Sequence, residues 1–255
     1  MILFLAGTSD ARALAIELKN ANYELVATVV TDNAAGELMK AGIDVKVGRL
    51  TEEDMLLYIR NNYIQAIVDA SHPFAEEASR NAMSAASQAD IPYIRYERES
   101  QTFDYDKMQI VNSYEQAAEV AATKKGVVML TTGSKTLQVF TEKLLHLPDV
   151  RLIARMLPRL DNMEKCQQLG LPQKNIIAIQ GPFTREFDRA LYKQYGVIVM
   201  VTKESGKVGS VDEKVEAAKE LGLDIIIIGR PKIDYGHVHS TFSGVLEEVN
   251  KAINK

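Results

Sequence analysis

Residues of the kinds that hold anions recur in this chain at one kind of place, the end of a short apolar run. Thr8, Ser9 and Asp10 follow Ile2-Leu3-Phe4-Leu5-Ala6-Gly7; Asp69, Ser71 and His72 close the run from Ala66; Arg95 and Arg98 close the run from Ile91. Farther along, Thr132, Gly133, Ser134 and Lys135 follow Gly126 to Leu130, and Arg155 follows Arg151 to Ala154. Lys203, Ser205 and Gly206 follow Val197 to Val201, and Arg230 follows Asp224 to Ile228. A glycine among small polar residues lets the backbone turn tightly and leaves amides facing outward, and a helix that starts there adds the positive end of its dipole. Such turns suit a phosphate. Arginine at the same level offers a two-pronged donor for carboxylates. Asp69 and His72, a carboxylate and an imidazole beside Pro73, are the candidates for proton chemistry, with bracing of the turn as the alternative for His72. The set as a whole calls for an anionic ligand. The sequence contains no H-E-x-x-H pattern, metal-ligand spacing or G-x-S-x-G elbow, so no metal is expected.

The elements that must position these residues alternate between strand and helix. Ile2 to Leu5 lead through Gly-Thr-Ser-Asp into Ala11, Leu14, Ala15 and Leu18 at helical spacing, which predicts strand, turn and helix. The same rhythm repeats from a strand at 24–30, which Thr31 to Gly36 break with turn residues, to a last strand at 224–228. Thr51-Glu52-Glu53-Asp54 has the form of a capping box opening a helix. Strands such as Val-Ile-Val-Met-Val and Ile-Ile-Ile-Ile are apolar on both faces, as parallel strands covered by helices on each side are. The polar stretch after Glu99 loses periodicity and predicts a hinge. The expected fold class is therefore α/β, with two Rossmann-like doubly wound parallel-sheet domains, 1–100 and 101–255. In such sheets ligands sit at the carboxyl ends of the strands, so two domains facing each other would enclose a cleft.

Composition sets the outer bounds. Among 255 residues, 46% are hydrophobic and 25% charged, as in ordinary globular proteins, and a net charge of −4 provides no basic field for nucleic acid. Cys166 is the one cysteine, which fits a reducing compartment and predicts a cytoplasmic protein. No apolar run reaches the length of a membrane span, and the opening run is too short for a signal-peptide core.

Six stretches in order carry a resemblance: Leu-Ala-Gly-Thr-Ser-Asp-Ala-Arg at 5–12, Val-Asp-Ala-Ser-His-Pro-Phe-Ala at 68–75, Arg-Tyr-Glu-Arg at 95–98, Gln-Gly-Pro-Phe at 180–183, Val-Thr-Lys-Glu-Ser-Gly at 201–206 and Gly-Arg-Pro at 229–231. Together they resemble the precorrin-6A reductase family of cobalamin biosynthesis, and the likeness spans the whole chain. It implies a two-domain Rossmann-like fold and NADPH-dependent reduction of precorrin-6A, or of its cobalt complex, to the dihydro product. Gly7, Thr8, Ser9, Asp10, Thr132, Gly133, Ser134, Lys203, Ser205 and Gly206 are then expected at the cofactor. Ser71, Arg95, Arg98, Arg155 and Arg230 are expected at the carboxylate arms of the tetrapyrrole, and the resemblance names other corrin-pathway enzymes as candidate partners. Two positions depart from the family's Lys-x-Ser-Gly loop: Glu204 stands where a small polar residue is expected, and Lys207 where glycine is common. One residue argues against the expected cofactor, since Asp32 after the second strand favours an unphosphorylated ribose; Arg49, Lys135 and Lys203 are the basic groups set against it. The competing reading from another class is a non-catalytic NADP(H)-binding sensor or scaffold of the same fold.

Overall fold

The computed structural model describes residues 1–100, 104–204, 206 and 211–253, with only the backbone of 211 and 212. The chain divides into two compact units. One comprises Met1–Glu99 with Pro231–Lys255, the other Ser100–Arg230.

The first unit runs β1 (Ile2–Leu5), α1 (Ser9–Asn20), β2 (Leu25–Val29), α2 (Asp32–Lys40), β3 (Asp44–Val47), α3 (Glu52–Asn61), β4 (Ala66–Asp69), α4 (Glu76–Gln88) and β5 (Tyr93–Tyr96). The second runs β6 (Met108–Val111), α5 (Tyr114–Ala122), β7 (Gly126–Leu130), α6 (Leu137–Leu144), β8 (Val150–Met156), α7 (Leu160–Gln168), a single 3-10 turn, β9 (Ile176–Ala178), α8 (Arg185–Tyr195), β10 (Val197–Lys203), α9 (Val211–Glu220) and β11 (Asp224–Ile228). β12 (Val238–His239) and α10 (Phe242–Ile253) then return to the first unit. Pairing among the described strands is parallel throughout.

The expected second domain, 101–255, is corrected by this return. Residues 231–253 belong with 1–99 because β12 pairs with β5, Val238 opposite Arg95 and His239 opposite Tyr96, while Val245 and Val249 of α10 lie in the first unit's core. Among the described residues each unit has six strands where the apolar runs predict about five, the additional ones being β12 in the first and β6 in the second. Thr31 to Gly36, expected as a turn, contains instead the start of α2, because the Thr31 hydroxyl accepts from the Ala34 amide and caps it.

The sheet orders are β12-β5-β4-β1-β2-β3 and β6-β11-β10-β7-β8-β9. In the first the chain builds outward from β1 on one side and then crosses to the other; in the second it begins at the edge strand β6, builds outward from β7 and then crosses back toward β6. The order reverses between β1 and β4 in one unit, and between β7 and β10 in the other. Adjacent connections diverge there, which opens a crevice at the carboxyl ends of the strands.

Strand alternation divides the cores. Ile2 and Phe4 of β1 pack with Leu14 and Leu18 of α1, Leu38 of α2 and Val245 of α10. Leu3 and Leu5 point the other way, to Met55 and Ile59 of α3 and Ala82 and Ala86 of α4. In the second unit Met129, Ile153, Met200 and Ile225 pack against Tyr192 of α8 and Val215 and Ala218 of α9. Each such side chain taken from water contributes about 1.5–3 kcal/mol. Burial on both sides fixes the register, since a one-residue slip would exchange the two faces.

Candidate active site

At the first reversal point, Gly7 turns the chain out of β1 at φ +157°, and the Thr8 hydroxyl accepts from the Ala11 amide at 3.3 Å to cap α1. A Cβ placed on Gly7 would meet no atom within 4 Å, so the space above the turn is open. Ser9 and Asp10 form the first turn of α1 beneath it. Asp10 is buried and paired with Arg98 at 2.7 Å, which ties the end of β5's loop to the start of α1.

The neighbouring connection, after β4, rests on a buried network. Asp69 and Arg95 form an ion pair at 2.9 Å with both side chains 0% exposed. The Asp69 carboxylate also accepts from the Ser71 amide at 2.9 Å, the Ser79 hydroxyl at 2.6 Å and the Tyr93 hydroxyl at 2.7 Å. Arg95 reaches Glu97 at 2.6 Å, donates to the Ser71 hydroxyl at 3.2 Å and lies 4.8 Å from the Tyr235 ring. Burial pushes the Asp69 carboxyl up, but the Arg95 charge and the bonds from Ser71, Ser79 and Tyr93 overcome it and hold the group below the ordinary carboxylate range. Burial opposes the Arg95 charge as well, and Asp69 and Glu97 raise its pKa in spite of that. Both stay ionised.

Asp69, Ser71 and Arg95, expected from the sequence at the site, are joined in this one network. They are enclosed and shape the loop that presents His72. The His72 Nδ1 accepts from the Phe74 amide at 3.2 Å and the ring leans on Phe74 at 5.8 Å, so in the neutral ring the proton sits on Nε2. This side chain is half-buried at the tip of the turn.

At the second reversal point, Thr131 to Thr136 connect β7 to α6. The Thr131 hydroxyl donates to the Val201 carbonyl, and Gly133 turns at φ +78° with no atom within 4 Å of where a Cβ would lie. The Thr132 and Thr136 hydroxyls are buried there with no hydrogen-bond partner among the described residues. Ser134 donates to Asn162 of α7. Lys203 ends β10, where burial and then the charge of Lys135 lower its pKa to about 8. Gly206 turns at φ +83° and its amide donates to the Glu204 carboxylate at 3.0 Å. Ser205 and Lys207 lie outside the described residues.

Like Arg98, two further arginines expected to face a ligand have carboxylate partners that no local pattern signals. Arg155 pairs with Asp188, a buried residue 33 positions away on α8, and stacks over Phe183 at 4.4 Å. Arg230 pairs with Glu204. This explains the departure at position 204, since the carboxylate anchors both Arg230 and the Gly206 turn. The sequence reading also missed Lys214 of α9, which lines a pocket with Thr131, Gly133, Arg155 and Phe183. Among the described residues no three His, Cys, Asp or Glu side chains gather to hold a metal, and no helix is long and apolar enough to cross a membrane.

Residues 1–251 match the sequence family described as precorrin-6x reductase CbiJ/CobK. The chain is 77% identical over 246 residues to the cobalt-precorrin-6A reductase of Priestia megaterium, covering 96% of each. It is 36% identical over 234 residues to the enzyme of the same name from Salmonella typhimurium, covering 90% of this chain and 87% of the other. In fold it is similar to the solved CobK precorrin-6A reductase, with a TM-score of 0.80 at 23% identity over 99% of this chain and 96% of that one.

Proposed function

The chain belongs to the precorrin-6x reductase family, and on that premise we propose that it reduces a double bond of cobalt-precorrin-6A with NADPH in corrin ring synthesis, in the cytoplasm. The observation that carries the reading is the 77% identity across nearly the whole length of a cobalt-precorrin-6A reductase. The same identity favours the cobalt-bearing substrate over metal-free precorrin-6A.

The reading asks for a nicotinamide cofactor, and the residues present suit one. Both reversal-point turns are open above a glycine, at Gly7 and Gly133, and the Thr132 and Thr136 hydroxyls are buried without partners among the described residues. When bound, the nicotinamide supplies the hydride. Gly7, Thr8, Ser9 and Asp10, with Thr132, Gly133, Ser134, Lys203, Ser205 and Gly206, are assigned to hold it, the amides of each turn serving as phosphate donors. Exposed Asp32 opens α2 at the end of β2, so the choice of NADPH over NADH rests on the basic groups, Lys203 foremost.

For the substrate, we assign Arg98, Arg155 and Arg230 to the carboxylate arms. Each guanidinium has a carboxylate partner that fixes its plane at the end of a strand. His72 is assigned to the substrate as a donor through Nε2–H; water remains the competing proton source for an exposed ring carbon. Asp69 and Arg95 act through the loop, holding Ser71 and His72 in place.

The test is consumption of NADPH by purified protein supplied with cobalt-precorrin-6A or metal-free precorrin-6A, with NADH as the parallel arm. Turnover with the cobalt substrate and NADPH is expected. NADPH binding without oxidation would make the protein a sensor, and faster turnover with NADH or with metal-free substrate would overturn the corresponding choice. His72→Ala at saturating substrate and NADPH should lower turnover by roughly a hundredfold if the ring is the acid. Near-normal turnover would leave it as a brace.

A further inference from the structure

A pocket of about 260 Å³ opens at the carboxyl ends of β7, β8 and β9 in the second unit. Its walls carry two cations, Arg155 and Lys214, beside the Thr131–Gly133 turn and an apolar side formed by Met156, Ile179 and Phe183. Their charges are not balanced within the pocket. Arg155 is committed to one oxygen of Asp188, and the other, Oδ2, is buried with no hydrogen-bond partner among the described residues. If Lys214 were placed only to neutralise Asp188, its ammonium would donate to that oxygen. It instead donates to the Thr202 hydroxyl at 3.5 Å, the outer limit of a hydrogen bond. Two positive groups therefore face Asp188, with Glu213 the further carboxylate whose charge reaches Lys214, and the pocket beside them is open to an additional anion.

We propose that this pocket is an oxyanion subsite in which Lys214 and Arg155 together receive one carboxylate or phosphate group of a bound ligand, with the Phe183 side of the pocket excluding water. The reading of the chain as a reductase enters only as the source of the oxyanion: a carboxylate arm of the tetrapyrrole, or a phosphate of the dinucleotide. The volume suits a single such group with its adjoining carbons. Electrostatics agree with the geometry. Burial first, then the Arg155 charge, lower the Lys214 pKa to about 8; Lys203 adds to this, and Asp188 and Glu213 oppose it. Burial raises the Asp188 carboxyl in spite of Arg155, with Glu213 adding to the rise and Lys214 opposing it. An arriving oxyanion would restore the charged form of Lys214, so its binding should be accompanied by proton uptake near that pH.

The test measures dissociation constants on the full chain by titration calorimetry. The probes are adenosine bisphosphate, the phosphorylated-ribose half of NADPH, and uroporphyrin, a tetrapyrrole with carboxylate arms. Lys214→Gln should weaken one probe by about tenfold or more, the scale of one charge-assisted hydrogen bond, and leave the other within about twofold. The probe affected identifies the source. Lys214→Arg should retain most of the affinity, and wild-type affinity for that probe should fall as pH rises through about 8 while the glutamine variant shows no such fall. Unchanged affinity of Lys214→Gln for both probes would overturn the subsite. So would equal loss in the arginine and glutamine variants with a lowered unfolding temperature, which marks packing alone. If the wild-type protein binds neither probe, the reductase reading fails together with the subsite; wild-type binding unaffected by Lys214→Gln sinks the subsite only.

Discussion

Replacing Asp69 with asparagine should destabilise the first unit before it affects any chemistry. The change keeps the size of the side chain and one carbonyl oxygen, so no cavity forms. It removes the charge that faces Arg95 at 2.9 Å, where neither side chain is exposed, and one of the oxygens that together accept from Ser71, Ser79 and Tyr93. Removing one partner of a buried ion pair costs about 3–5 kcal/mol when the survivor has no other counter-charge. Here Glu97 stays on Arg95 at 2.6 Å, which places the cost at the lower end, about 3 kcal/mol. For a unit of this size that is a fall of roughly 10 °C in the unfolding midpoint. Circular dichroism through a thermal ramp reads the midpoint, and amide exchange of β4 and β5 locates the loss. The Asp69→Leu/Arg95→Met double variant should lose less than the sum of its single changes, since the buried Asp69–Arg95 pair is then removed whole. Acid should act in the same direction. A depressed carboxyl pKa contributes stability above its unfolded value that is lost as pH falls through the folded value, so the wild-type acid transition should be steeper than that of Asp69→Asn. A midpoint within about 2 °C of wild type in Asp69→Asn would refute the view of this network as framework.

Gly7→Ala should leave the protein folded at a cost of about 1–2 kcal/mol for φ +157° and weaken dinucleotide binding at least tenfold, because the new methyl enters the open space over the turn; equal affinity, by calorimetry, removes that turn from the cofactor site. Lys203 has a folded pKa of about 8, below that of the unfolded chain, so its charge opposes folding at neutral pH and the penalty lifts as pH rises through that value; the unfolding midpoint should climb between about pH 8 and 10, and Lys203→Met should flatten the climb. Cys166 is fully buried, its thiol pKa is raised by burial, and it touches Met156 at 3.4 Å; alkylating reagents should label it only when the protein is unfolded, and prompt labelling of the native protein would contradict this packing.

The strand-turn-helix rhythm was legible because a parallel strand covered on both faces must be a continuous apolar run, as Ile225 to Ile228 is. The cap at Thr51 was legible for a similar reason, since a hydroxyl and its amide partner lie three residues apart; at the first helix the turn suggested Ser9 or Asp10 as the cap, and Thr8 takes that place. β12 was not: Val238-His239 becomes a strand only through pairing with Arg95 and Tyr96, far away in sequence. α10 did leave a signal, with Phe242, Val245, Val249 and Ile253 at helical spacing, but nothing local says which core it enters. The arginines divide the same way. Their places at strand ends can be read from the apolar runs, whereas the carboxylates that hold them, Asp10 for Arg98 and Asp188 for Arg155, are set by the crossing of elements 88 and 33 residues apart.

The return of residues 231–253 to the first sheet has a bearing on how the chain is made. During synthesis the residues from 100 to 230 leave the ribosome as one uninterrupted stretch, and every strand of their sheet is present once β11 has emerged. The first unit has to wait. Until Phe242 to Ile253 arrive, the cover that Val245 and Val249 provide over Ile2, Phe4 and Leu14 is missing, and β5 is a bare edge with unpaired amides at Arg95 and Glu97. The part of the protein translated first is thus the part completed last. A chain ended near position 230 and released from the ribosome would carry every strand of the second unit behind an unfinished, chaperone-prone first one.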